Sequence, residues 1–195
     1  MFSESAFVFA FTSFAGTVMS RRDERSRSRS PAGLSGGRQG SASPRGNAHG
    51  GTGDVAMKFL ANVDESGSVI GKGGQNIHAI QDKCNVRVKM SDVKGKRFPG
   101  TKLRVGMVVG DNVTQLSSAM EIVVASLFRS LQSLPSFDGT GKITLLVPTS
   151  SAGAVIGKQG KHVQDVQTKS GAKIDVEPSR DAAEVGAGER KVDIQ

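Results

Sequence analysis

The stretch "SVIGKGGQNI", Ser68 to Ile77, decides the fold of this chain. Two apolar residues lead into a glycine cluster around Lys72, after which helix-like spacing resumes. Glycine has no Cβ atom, so the backbone can turn sharply there and can approach a ligand closely. Taken alone, a G-K-x-G stretch is weak evidence, because an ordinary bend between two helices has the same composition.

A second stretch, "AVIGKQGKHV", Ala154 to Val163, repeats this pattern. Sliding the sequence by 86 positions aligns residues 57–109 with residues 143–195 without a gap, and eleven of the 53 positions are identical. The identities around the glycine clusters are Gly67/Gly153, Val69/Val155, Ile70/Ile156, Gly71/Gly157, Lys72/Lys158 and Gly74/Gly160, and Arg104/Arg190 follows later. Self-similarity at a fixed offset indicates an internal duplication, with the glycine clusters at its centres.

Each copy has the same predicted order of elements. An apolar strand, 55–61 or 143–147, precedes a helical turn, 65–70 or 151–156, and the glycine cluster then leads to a second short helix. Next comes a strand in which apolar and charged residues alternate, Val86 to Met90 or Ala172 to Val176. In the first copy a further strand, 103–109, and a long amphipathic helix complete a β-α-α-β-β-α order.

The long helix of the first copy has no counterpart in the second copy. Asn112 is its predicted N-cap, and Gln195 aligns with Val109, before that cap. We therefore expect either that apolar strand residues of the second copy are exposed to water, which makes it marginally stable alone, or that the sequence is a fragment of a longer protein. At about 25 cal/mol per Å², such exposure would cost on the order of 5 to 10 kcal/mol, comparable with the stability of a small domain.

The first 54 residues are predicted to be a disordered tail rich in Arg, Ser and Gly. Phe7 to Val18 is apolar, but its twelve residues are too few to span a bilayer. Arg25 to Pro31 resembles an Arg/Ser tract, and Met19 is a second possible start, which leaves open whether residues 1–18 are a true N-terminus. The predicted domains are 55–130 and 141–195, joined by a linker at 131–140.

Composition limits the possible functions. The net charge of +8 favours a polyanionic partner such as nucleic acid. The single cysteine, Cys84, excludes an internal disulfide, and together with three histidines it gives no zinc-ligand spacing. No metal and no cofactor are predicted. The chain has no Trp or Tyr, so a platform that binds bases must be built from aliphatic side chains.

The glycine cluster has the features of a clamp for a phosphodiester backbone. It leads into the start of a helix, where unpaired N–H groups and the positive end of the helix dipole attract phosphate. Lys72 or Lys158 adds a mobile positive charge. A plain bend between helices is the competing interpretation, and the duplication in a common β-α-α-β setting favours the clamp.

"VIGKGGQNI" and "VIGKQGKHV" resemble the V-I-G-x-x-G-x-x-I signature of type I KH domains. "RFPGTKLRV", Arg97 to Val105, and "LLVPTSSAGAVIGKQG" further resemble the Nova and poly(C)-binding branch of that family. The resemblance implies an α+β fold of tandem type I KH domains, each with a three-stranded antiparallel sheet and helices on one face, the second lacking its last helix. It also implies that the loops grip about four single-stranded nucleotides, whose bases enter an aliphatic groove.

The resemblance assigns roles to particular residues of this sequence. The residues implied to bind RNA are Gly71, Lys72, Gly73, Gly74, Gly157, Lys158, Gln159, Gly160, Arg87, Lys173, Arg104 and Arg190. Those implied to line or support the groove are Val69, Ile70, Ile77, Val155, Ile156 and Val163. Ile70 and Ile77 could instead be plain core, and Arg87 could be a solvated strand residue. Leu103 stands where relatives often carry Glu, as Glu189 does, which leaves the base preference of the first copy open.

The sequence thus favours a non-catalytic, sequence-selective binder of single-stranded RNA, or of single-stranded DNA, acting in splicing or another post-transcriptional step. Pyrimidine-rich tetranucleotides are the expected targets, splicing or mRNP proteins are expected partners of the Arg/Ser tail, and the nucleus, the cytoplasm or both are the expected location. No membrane association is expected. The alternative is a KH-fold adaptor that binds proteins without RNA specificity. An enzyme is disfavoured, since neither copy has the G-x-x-x-x-G-K-[ST] form of a nucleotide-binding loop.

Overall fold

A computed structural model describes residues 55–92, 102–133, 141–178 and 188–195. The predicted tail, most of the loop that joins the second and third strands in each copy, and most of the predicted linker lie outside these residues. The elements of copy 1, residues 55–133, are β1 (Val55–Asn62), α1 (Val63–Ile70), α2 (Gln75–Cys84), β2 (Arg87–Met90), β3 (Leu103–Gly110) and α3 (Val113–Gln132). Those of copy 2, residues 141–195, are β4 (Ile143–Pro148), α4 (Thr149–Ile156), α5 (Lys161–Ser170), β5 (Ile174–Val176) and β6 (Glu189–Ile194).

The predicted order of elements is confirmed in both copies, and the bounds of helices and strands differ from the predicted ones by one or two residues. Helix α1 begins at Val63, two residues before the predicted start, because Asn62 serves as its N-cap. The Glu65 carboxylate accepts a hydrogen bond from the Asn62 N–H at 2.8 Å, as in a capping box. Helix α3 continues to Gln132, two residues into the predicted linker.

Helix α3 closes the core of copy 1. Its N-cap is Asn112, as predicted, and the Asn112 side chain accepts a hydrogen bond from the Gln115 N–H at 2.9 Å. Its buried apolar residues are Leu116, Ala119, Met120, Val123, Val124 and Leu127. The helix packs chiefly against α1, α2, β3 and β1, which all belong to copy 1.

The two copies share one antiparallel sheet of six strands, in the order β2-β3-β1-β4-β6-β5. The sequence predicts a three-stranded sheet in each copy, and in the structure the two sheets are joined because β1 and β4 pair directly, with Phe59 opposite Leu145. Lys58 lies opposite Leu146, and Leu60 lies opposite Thr144. Because positions 59 and 145 are equivalent in the duplication, this register places a local two-fold axis at the Phe59/Leu145 pair.

The two copies fill the same part of the core with different pairs of residues. In copy 1 Phe59 lies opposite Gly106, and in copy 2 Leu145 lies opposite Val192. A Cβ atom at Gly106 would overlap the Phe59 ring, so the ring occupies the space that a side chain would need. Copy 1 therefore pairs a large side chain with a glycine, which has no side chain, and copy 2 pairs two side chains of intermediate size.

The expectation that apolar strand residues of copy 2 are exposed is wrong. Leu145, Val192 and Ile194 have no exposed surface, and Ile143 and Val147 are also buried. These residues are as buried as their counterparts in copy 1, although the described part of copy 2 contains no helix equivalent to α3.

Candidate nucleic-acid interface

The two glycine loops, Gly71–Gly74 and Gly157–Gly160, begin with the same backbone conformation. Gly71 has φ 74° and ψ 172°, and Gly157 has φ 75° and ψ 176°. Only glycine adopts this region readily. A Cβ atom would also lie 2.7 Å from the Asn76 side chain in the first loop, and 2.6 Å from the His162 side chain in the second. Glycine is therefore required at both positions for two independent reasons.

The rest of each loop is a single 3₁₀ turn that ends on a left-handed glycine. Gly74 has φ 84° and ψ 9°, and Gly160 has φ 77° and ψ 4°. The third position is also left-handed in both copies, with φ 62° at Gly73 and φ 55° at Gln159. The different residue at this position does not alter the shape of the loop.

The loop lysines are at the start of the helix that follows. Lys72 and Lys158 are exposed, and each lies three residues before the first residue of α2 or α5. Neither helix has an acidic residue in its first turn. The lysine charge and the positive end of the helix dipole therefore act together on an approaching anion.

The predicted groove residues divide into a lining set and a supporting set. Ile70 and Ile77 in copy 1 are partly exposed, as are Ile156 and Val163 in copy 2, so these four can contact a ligand. Val69 and Val155 are fully buried. They support the helices from beneath and cannot themselves touch a base.

Arg87 and Lys173 stand at or beside the outermost strands of the sheet. Arg87 is the first residue of β2, Lys173 immediately precedes β5, and both are exposed. The Lys173 backbone exchanges two hydrogen bonds with Gln195, at 2.8 and 2.9 Å, which fixes its position against β6. The structure thus places both cations at corresponding rims of the two copies.

Arg104 and Arg190 are engaged with the protein itself. The Arg104 guanidinium donates to the Ser91 carbonyl at 2.7 Å and to the Ser66 hydroxyl at 3.0 Å. The Arg190 guanidinium donates to the Glu177 carbonyl at 2.6 Å and is only 9% exposed. Both arginines therefore tie the third strand of their copy to the residue that follows the second strand.

Sequence reasoning missed Gln81 and Gln167, which are identical across the duplication. The Gln81 side-chain carbonyl accepts a hydrogen bond from the Val88 N–H at 3.0 Å, and that of Gln167 accepts one from the Ile174 N–H at 2.8 Å. Each glutamine thus ties the helix after the glycine loop to the outermost strand. Their identity in the two copies was the available signal, since core packing gives no reason for a polar residue to recur at this position.

The described residues provide no other chemistry at this surface. Within the ranges that the structure describes, no group of three His, Cys, Asp or Glu side chains is placed to hold a metal ion. None of the helices described is both long and apolar enough to cross a membrane. Burial raises the pKa of the Cys84 thiol, with nearby Lys83 opposing and Glu121 adding to the shift, so this cysteine is a core residue.

Comparison with known families supports the assignment that the repeated loops suggest. The KH domain family model matches residues 57–125 and 142–195, which are both copies of the duplication. The chain belongs to the KH domain family. The family consists of non-catalytic binding domains, in agreement with the prediction that the chain is not an enzyme.

Similar proteins include three from animals. The chain is 31% identical over 153 residues to RNA-binding protein Pasilla of Drosophila melanogaster and 34% identical over 134 residues to human RNA-binding protein Nova-2. These matches cover 71% and 62% of this chain, and 18% and 27% of the relatives. Human far upstream element-binding protein 2 is 29% identical over 136 residues, covering 66% of this chain and 18% of its own. The resemblance to the Nova branch is thereby confirmed.

Proposed function

We propose that this chain binds single-stranded RNA in a sequence-selective manner through its two glycine loops and the grooves beside them. The observation that carries the proposal is the repeated loop conformation, in which glycine-only backbone angles place an exposed lysine before a helix N-terminus in both copies. A clamp of this kind fits a sugar-phosphate backbone. Pasilla and Nova-2, which are both more than 30% identical to this chain, are described as RNA-binding proteins.

The bases of the bound nucleotides would lie against Ile70 and Ile77 in copy 1, and against Ile156 and Val163 in copy 2. These side chains are partly exposed and lie next to the glycine loops, so an unstacked base can bury apolar surface on them. Arg87 and Lys173 are exposed basic side chains at the outermost strands of the sheet, and a basic side chain can donate hydrogen bonds to base edges. Cytosine and uracil both present carbonyl acceptors to such donors, and the sequence resembles the poly(C)-binding branch, so we propose pyrimidine-rich tetranucleotides as the target.

Arg104 and Arg190 are proposed to contribute to RNA binding mainly by positioning the rim. Their guanidinium groups hold the backbone at Ser91 and Glu177, next to the second strand of each copy. A protein that binds such RNA would act in splicing or another post-transcriptional step, in the nucleus or the cytoplasm. The Arg/Ser tract at residues 25–31 supports this wider role through contacts with other proteins of the same particles.

The proposal is tested with charge reversals at matched positions. Lys72→Asp removes the loop cation, and Lys83→Asp makes the same change in net charge at the last turn of α2, about 15 Å away along the helix. We expect Lys72→Asp to weaken binding of an octamer rich in C and U at least tenfold in fluorescence anisotropy, and Lys83→Asp to weaken it less than threefold. Equal effects would show that only bulk charge matters. An unchanged affinity in both variants would favour the protein-binding adaptor.

The base preference needs a separate experiment. In vitro selection from random single-stranded RNA with the full chain should enrich short elements rich in C and U. Enrichment of a purine-rich element would contradict the proposed preference while leaving the clamp intact. If no short element were enriched, the claim of sequence selectivity would be wrong.

A further inference from the structure

The sheet of copy 2 is buried on a face for which the described residues supply no cover. In copy 1 this face is covered by α3, which lies over β1, β3 and α1. The equivalent elements of copy 2 are β4, β6 and α4. Ala152 and Val155 of α4 are fully buried, as are the inward-facing residues Leu145, Val192 and Ile194 of the strands.

Neither the described helices of copy 2 nor α3 explains this burial. Helices α4 and α5 are the equivalents of α1 and α2. In copy 1, α1 and α2 do not occupy the place of the long helix α3. Helix α3 packs chiefly on elements of its own copy. Burial of these side chains therefore requires another apolar segment of the chain, of about the length of three helical turns.

The N-terminal segment Phe7–Val18 has the pattern that this site requires. Four residues of α3 with 3% exposure or less recur at intervals of four, three and four: Leu116, Met120, Val123 and Leu127. The same intervals separate four large apolar residues of the N-terminal segment: Phe7, Phe11, Phe14 and Val18. Ser3 precedes Phe7 by four positions, as the N-cap Asn112 precedes Leu116, and serine is a favoured N-cap.

We propose that residues 7–18 dock as a helix on copy 2, in the place that α3 occupies in copy 1. A segment of this length is a marginal helix in water, and docking supplies the missing stabilisation by burying its phenylalanine stripe. The proposal does not depend on RNA binding.

The connection is long enough for the segment to reach copy 2. Strand β1, which follows the tail, is the strand of copy 1 that pairs with β4. Between Val18 and Val55 lie 36 residues, and a Gly/Ser-rich linker of that length has a root-mean-square span of about 33 Å. Such a tether holds the segment at roughly millimolar effective concentration near the site.

The test compares two charge insertions in the full-length chain. Phe11→Asp places a carboxylate on the stripe, and Phe9→Asp makes the same change on the opposite side of the helix. We expect Phe11→Asp to increase amide hydrogen exchange of β4 and β6 at least tenfold while exchange in α1 and α2 stays within threefold. Phe9→Asp should leave both copies within threefold. Equal exchange in the two variants, or no change in either, would overturn the proposal.

A second measurement covers the outcome in which Phe11→Asp unfolds copy 2 altogether. Phe14 is replaced by the photo-crosslinking amino acid p-benzoylphenylalanine, which keeps an aromatic ring at this position. Mass spectrometry then locates the crosslinked peptide. We expect crosslinks within one chain to the peptides of α4, β4 or β6. Crosslinks to copy 1 alone would refute the proposal. Crosslinks between two molecules, with none inside one molecule, would refute docking of the chain's own segment.

Discussion

At the scale of single residues, the exchange of Phe59/Gly106 for Leu145/Val192 shows that the two copies fill the same part of the core with different side chains. A side chain at position 106 has no space, because its Cβ atom would overlap the Phe59 ring. Gly106→Val is expected to lower the free energy of unfolding of copy 1 by about 3 kcal/mol through overpacking. Urea denaturation followed by circular dichroism measures this loss.

The double variant Phe59→Leu/Gly106→Val copies the pair found in copy 2. It should recover at least half of the lost stability, because the smaller leucine makes room for the valine. Additive losses in the double-mutant cycle would contradict this account, since residues that compete for one space cannot act independently.

Gln159 offers a second prediction at this scale. It holds φ 55° without being a glycine, whereas Gly73 adopts the corresponding φ of 62° in the first loop. Left-handed backbone costs other residues about 1–2 kcal/mol, and the greater freedom of unfolded glycine offsets part of the gain. Gln159→Gly is expected to stabilise copy 2 by about 0.5 kcal/mol.

The reverse change supplies the control. Gly73→Gln should destabilise copy 1 by a similar amount, because a Cβ atom at Gly73 meets nothing within 4 Å and only the backbone strain remains. The thermal midpoints of the two variants should move in opposite directions. Movement in the same direction would show that something other than φ determines the effect.

Local signals can be read correctly from the sequence because local chemistry fixes them. The glycine loops and the Asn112 cap depend on residues within five positions of one another, so spacing alone reveals them. The requirement for Gly106 depends on Phe59, which is distant in sequence and comes opposite only through strand register. Nothing in the sequence around Gly106 distinguishes it from a glycine that merely ends or weakens a strand.

At the scale of elements, the helix after each glycine loop is held against the outermost strand by one glutamine. Gln81→Met keeps the length of the side chain but removes the acceptor for the Val88 N–H. We expect a loss of about 1–2 kcal/mol in the stability of copy 1, since a partly buried donor is left unpaired. We also expect RNA affinity to fall severalfold, because β2 carries Arg87.

Gln132→Met is a suitable control, because Gln132 is exposed at the end of α3. Isothermal titration with the RNA and urea denaturation of both variants separate binding from stability. A Gln81→Met variant with reduced stability and full affinity would limit the glutamine to a structural role.

The pairing of β1 with β4 was beyond prediction for a physical reason. Strand β1 has two hydrogen-bonding edges, and periodicity in its sequence fixes only which residues face the core. From the sequence alone, Lys58 would be interpreted as an ordinary solvated charge. In the structure its ammonium group lies 2.6 Å from the Glu189 carboxylate of the other copy. Both partners are distant in sequence, so neither signalled the shared sheet.

At the scale of the whole molecule, charge is distributed unequally between the copies. Residues 55–110 carry ten Lys and Arg against four Asp and Glu, and residues 141–195 carry eight against seven. Copy 1 is therefore expected to dominate affinity for RNA. Each phosphate that it neutralises contributes about −0.7 to the slope of log affinity against log salt.

Anisotropy titrations from low to moderate salt test this asymmetry. Lys72→Asp should flatten the slope by about 0.7 or more, and Lys158→Asp should weaken binding less than Lys72→Asp does. A larger loss from Lys158→Asp would show that the groove of copy 2, not its net charge, governs affinity. An affinity independent of salt would contradict the phosphate clamp itself.

The two-fold axis at the Phe59/Leu145 pair has a consequence for the geometry of any bound strand. A nucleic acid has a 5′-to-3′ direction, and an axis that relates two antiparallel strands reverses the part of that direction that lies in the plane of the sheet. One molecule that occupies both must therefore reverse its course between them, so a target needs two short elements separated by a spacer long enough to turn. Shortening that spacer should abolish simultaneous occupancy while leaving each element able to bind alone.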